Sequence, residues 1–98
     1  MPFLHNTFLT VQNNSMRYEK VYVGVTVLFL PEGGMRPKVI KWTDGKNYEI
    51  DRVKFIDRLP PNTGGVATKR FTVSVLGQER RLFFERETER WFLEVKII

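Results

Sequence analysis

Cysteine is absent from the 98 residues, and histidine occurs once, as His5. Without a thiol there is no disulfide, no thiolate nucleophile, no iron–sulfur cluster and no Cys-type zinc site. A single histidine leaves no Ser–His or His–His constellation. No apolar run reaches the length of a membrane span, and no repeat of solenoid period is present. The opening decapeptide, MPFLHNTFLT, lacks the basic region and long apolar stretch of a secretion signal. The expectation from these absences is a cytoplasmic, non-enzymatic protein with no cofactor and no membrane partner.

The composition is globular: 42% hydrophobic, 28% charged and 13% aromatic, enough for one core. The net charge is +5. Residues 1–35 are neutral, residues 36–66 carry +3 and residues 67–98 carry +2. The excess is therefore spread through the body of the domain. A basic domain attracts polyanions at long range, although eleven interspersed acids also fit a merely soluble surface.

Residues 1–16 have no sustained period and end in Gln12-Asn13-Asn14-Ser15. They read as a loose leader, with Met16 as an alternative start and residues 7–11 as an alternative edge strand. Residues 17–98 read as a single domain. Val21, Val23, Val25, Val27 and Phe29 alternate onto one face of a first strand, and Pro31-Glu32-Gly33-Gly34 ends it. Ile40 and Trp42 share a face of the second strand, and Tyr48 and Ile50 share one of the third. Asp44-Gly45 between them is a hairpin signal. A three-residue loop, Thr43-Asp44-Gly45, joins those faces, and a shifted loop pairing Ile40 with Ile50 is the alternative.

Val53 and Phe55 are out of phase with Ile50, which predicts a β-bulge at Asp51 and Arg52 that returns both to the core. Pro60-Pro61 ends that strand. In the last third, Phe71, Val73 and Val75 alternate with polar residues. A two-residue turn at Gly77-Gln78 pairs Val73 with Leu82, Phe71 with Phe84 and Arg70 with Glu85. A second, at Thr88-Glu89, pairs Phe84 with Leu93. These elements predict an all-β, six-stranded antiparallel small barrel or roll, SH3-like or OB-like, with little or no helix.

The string from Ile40 to Val53, IKWTDGKNYEIDRV, is similar to the core of a family of small uncharacterised proteins from clostridia and their relatives. Gly64-Gly65, Arg70-Phe71-Thr72, Leu82-Phe83-Phe84-Glu85 and Trp91-Phe92-Leu93-Glu94 extend the likeness over residues 20–96. The resemblance implies one compact bacterial β-domain and no particular activity. A looser likeness, in the Trp42 to Tyr48 spacing and the late Trp91, is to a small domain appended to bacterial translesion-polymerase-like proteins.

Trp42, Trp91 and Tyr48 sit on faces that read as core, with base stacking as the alternative role. Phe83 and Phe92 fall on the opposite face, with Arg70, Arg81 and Lys96 and diluted by Glu85 and Glu94. An aromatic and basic sheet face suits single-stranded nucleic acid, the first-named partner. The alternative is a protein–protein adaptor or homodimer that uses this same face, or a face simply covered by another element. Arg52, at the inferred bulge, joins the candidate binding face. With Lys54 and Arg58 it also reads as a solvated edge that discourages strand addition. Asp44, Asp51 and Asp57 lack metal-ligand spacing. Neither Gly-Gly pair opens a phosphate loop.

Overall fold

The computed structural model describes residues 17–59 and 67–97. The expected leader, the residue 60–65 loop and His5 lie outside the described residues. The strands are β1 (Arg17–Phe29), β2 (Met35–Lys41), β3 (Asn47–Glu49), β4 (Arg52–Leu59), β5 (Thr68–Val75), β6 (Gln78–Glu85) and β7 (Arg90–Ile97). They form one antiparallel sheet in the order β3-β2-β1-β7-β6-β5-β4. The count is seven rather than six because the segment read as one bulged strand breaks into β3 and β4.

That break explains the curl. The edge strands β3 and β4 are consecutive in sequence, joined only by Ile50 and Asp51. Laid flat, seven strands would separate the edges by ~29 Å, whereas the link spans at most ~11 Å. The sheet therefore rolls into a half-barrel. At the corner, the Ile50 amide donates to the Lys38 carbonyl of β2 at 2.9 Å, and the Asp51 amide donates to the Ser74 carbonyl of β5 at 2.7 Å. The long strand β1 serves both walls: residues 17–23 pair with β7 and residues 24–29 with β2.

The inner face carries the expected alternation. Ile40, Trp42, Phe71, Val73, Val75, Leu82, Trp91 and Leu93 form the core, with Val21, Val23, Val25, Val27, Tyr48, Val53 and Phe84 packed against it. Phe29, expected beside those valines, is instead 72% exposed, because it ends β1 where only β2 flanks the strand. Pro37 is fully buried within β2, a position without an amide donor. It is accommodated by a bulge at Lys38, where the register steps from Thr26 opposite Val39 to Val27 opposite Pro37.

The β2–β3 hairpin takes the three-residue loop. Ile40 faces Tyr48, the Trp42 amide donates to the Lys46 carbonyl at 2.9 Å, and Gly45 occupies the left-handed region at φ +88°. The Asp44 carboxylate accepts from the Lys46 amide at 2.9 Å and pins the loop.

Both later hairpins differ from expectation by two residues. The β5–β6 turn is Leu76-Gly77, not Gly77-Gln78, so Phe71 faces Leu82, Arg70 faces Phe83 and Lys69 faces Phe84. Both turn residues have positive φ, 53° and 77°, the combination of a type I′ turn. The Gly77 amide is also held by the Asp51 carboxylate at 3.3 Å, which ties this turn to the barrel corner. The β6–β7 connection has four residues, 86–89, so Phe84 faces Trp91 and Leu82 faces Leu93. The Glu89 amide closes it on the Glu85 carbonyl at 2.8 Å. A slip of two preserves which face each side chain takes, so the core set survives while the pairs change.

Leu76 is a γ-branched residue at φ +53° and 62% exposed. Leu76→Asn is expected to stabilise the domain by about 1 kcal/mol, by placing the preferred residue type in that turn position. Urea denaturation checks this, and an unchanged or lowered midpoint contradicts the turn assignment.

Candidate functional site

Phe83 and Phe92 were open to two readings, an exposed binding face or a covered one. Both are buried, Phe83 at 5% and Phe92 at 4% exposed, which removes them from an exposed binding face. The two rings face each other across β6 and β7 and stack at 4.8 Å with planes 4° apart. Tyr22, opposite Phe92 on β1, meets it edge-on at 5.6 Å. The Lys20 ammonium lies 4.8 Å above the Phe92 ring, and the Arg90 guanidinium lies 3.9 Å from the Tyr22 ring. Aromatic stacking and these charged lids close the cluster, so it is a second small core and not an open platform.

Glu85 sits beside it, only 5% exposed. Its carboxylate accepts from the Thr88 hydroxyl at 2.8 Å and the Tyr22 hydroxyl at 3.0 Å. Lys20 and Arg90 approach it at 3.6 and 3.8 Å. Burial pushes the Glu85 carboxyl up, but the two hydroxyl hydrogen bonds and the two cations together hold it below its ordinary value. Arg70 does not pair with Glu85. It pairs with Asp57 across β4 and β5, at 3.1 Å.

Of the remaining expected binding residues, Arg52, Arg70 and Arg81 come together on the outer face of β4, β5 and β6, at positions facing Ser74, Asp57 and Thr72 respectively. Lys96 does not join them. It faces Tyr18 on the β1–β7 flank, and β7 stays paired to β6 only through residues 82–85.

The sequence misplaced one segment that matters. Ile50 and Val53 both pack against the core, as the phase slip at Asp51 and Arg52 predicts, through the break between β3 and β4. Phe55 does not join them, because β4 carries a further extra residue at Lys54: Val53 faces Val73, and Phe55 then faces Thr72. That step turns Phe55 to the outer face, where it is 65% exposed. Ile56 faces Phe71 on the inner side, yet is 49% exposed because β4 is the last strand of the sheet. No parity signal betrays this bulge, since Val53 and Phe55 alternate normally. The available sign was the run of cations Arg52, Lys54 and Arg58, which marks an edge. Lys54 is engaged with Glu79 at 3.4 Å.

Two consecutive large apolar residues are thus exposed on opposite faces of one edge strand. Among the described residues β4 has a neighbour on one side only. Among the same residues, no three His, Cys, Asp or Glu side chains gather as a metal-ligand group, and no helix is long and apolar enough to cross a membrane. No protein-family model, curated protein or solved structure matches the chain.

Proposed function

We propose that this domain is a non-enzymatic binding module acting as a protein–protein adaptor, with the edge of β4 that has no neighbour among the described residues as its binding surface. The observation that carries this reading is the adjacent exposure of Phe55, at 65%, and Ile56, at 49%, on opposite faces of the edge. A ligand lying flat on the sheet reaches only one of them. An added strand reaches both, because its side chains alternate above and below while its backbone pairs with the edge.

A second reading is nucleic acid on the outer face, favoured by exposed Phe55 with Arg52 and Arg81 nearby. Peptide display against the folded domain separates the two. The adaptor reading expects enriched extended segments whose binding is lost in Ile56→Lys and retained in Arg81→Ser. If no peptide is enriched, while oligonucleotides bind near physiological salt and lose affinity in Arg81→Ser, the nucleic-acid reading replaces it.

A further inference from the structure

We infer that the strand accepted by β4 is acidic, with a carboxylate opposite Arg58 and apolar residues opposite Ile56 and Phe55, and that it is not a second copy of this chain. The inference rests on the edge of β4 being the binding surface. Arg58 faces Lys69 directly across β4 and β5, two like charges in one cross-strand pair. Among the described residues neither is ion-paired with an acid. Opposed like charges on a sheet repel, and a carboxylate brought in on the open side of Arg58 relieves that repulsion. Asp57, the acid of this strand, is already engaged by Arg70 through two hydrogen bonds, at 3.1 and 3.3 Å.

The same charges count against self-pairing. An antiparallel pair of β4 strands centred on Lys54 or on Asp57 sets that charge against itself. Centred on Ile56, it sets Lys54 against Arg58 on both sides of the axis. Centred on Phe55, it leaves Arg52 and Arg58 opposed at both ends. From N- to C-terminus, an antiparallel partner needs the order acid, polar, apolar, apolar, its first residue facing Arg58 and its last facing Phe55. A parallel partner needs the reverse sequence.

Amide NMR titration of the full chain tests this with synthetic peptides whose central residues are Glu-Thr-Val-Phe, Gln-Thr-Val-Phe or Lys-Thr-Val-Phe, and with each core reversed. The inference expects shifts centred on β4, and binding weakened about two- to fivefold from Glu to Gln, and further to Lys. Arg58→Glu is expected to invert the order, so that the Lys peptide binds best. Equal binding of all three, or an unchanged order in Arg58→Glu, overturns the acidic preference while leaving the strand-binding reading standing. Shifts absent from β4 with every peptide overturn both. Concentration-dependent dimerisation lost in Ile56→Lys overturns the exclusion of a second copy.

Discussion

Replacing Phe92 with alanine is expected to destabilise the domain by about 3–5 kcal/mol, the range for removing a buried phenyl ring. Phe92 is 4% exposed, stacked on Phe83 and met edge-on by Tyr22. Native stability is of the order of 5–15 kcal/mol, so the variant will be marginal, with Tm lowered by more than about 10 °C. Phe83→Ala is expected to behave alike. A double-mutant cycle, anchored where needed by the milder Phe83→Leu and Phe92→Leu, should show coupling of about 0.5–1.5 kcal/mol between the rings. Were these rings an exposed stacking platform, each alanine would change stability by less than about 0.5 kcal/mol. Urea denaturation of the four proteins separates these outcomes. The prediction matters for function because it removes Phe83 and Phe92 from any ligand-binding surface.

The second large effect is expected at Glu85. Glu85→Gln keeps the shape and removes the charge from a 5% exposed site with two hydroxyl donors. The expected loss is about 1–3 kcal/mol near neutral pH. Lys20 and Arg90 are more than half exposed, at 53% and 55%, so solvent screens their share and the hydroxyls of Thr88 and Tyr22 dominate. Because the folded carboxyl titrates below its unfolded value, its contribution is complete above the ordinary carboxylate range. It fades as pH falls through the lowered folded value. The penalty of Glu85→Gln should therefore shrink in acid, where the native side chain is itself protonated. The groups facing Glu85 are Lys20 and Tyr22 on β1, Thr88 in the loop and Arg90 on β7. A penalty that stays constant from neutral pH into acid would mean that Glu85 acts through packing only.

Alternation alone determined the all-β class, the inner-face set apart from Phe29 and Phe55, and the hairpin succession. A period of two is a local property of the chain and survives any slip by an even number of residues. That is why Phe71, Val73, Leu82 and Phe84 were placed on the correct face although every pair among them was two residues out. The turn residues settled the Thr43-Asp44-Gly45 loop only as one of two options. The folded hairpin takes the option that sets Ile40 opposite Tyr48, and the Asp51 carboxylate, arriving from the barrel corner, helps hold the turn at Leu76-Gly77.

What only the tertiary structure decided is exposure. Phe83 and Phe92 alternate outward in sequence and are nevertheless buried, stacked on each other across strands, with Tyr22 edge-on to Phe92 and Lys20 over its ring. Phe55 alternates inward in sequence and is exposed, because a bulge at Lys54 reverses the parity of everything after it. Neither a cross-strand neighbour nor the position of a strand at the sheet's edge is written in the local pattern. Both arise when a two-residue corner at Ile50 and Asp51 forces the sheet to roll and leaves β4, among the described residues, as one of its two edges. The strand that carries the candidate site was therefore legible as a strand, and its openness became visible only in the rolled sheet.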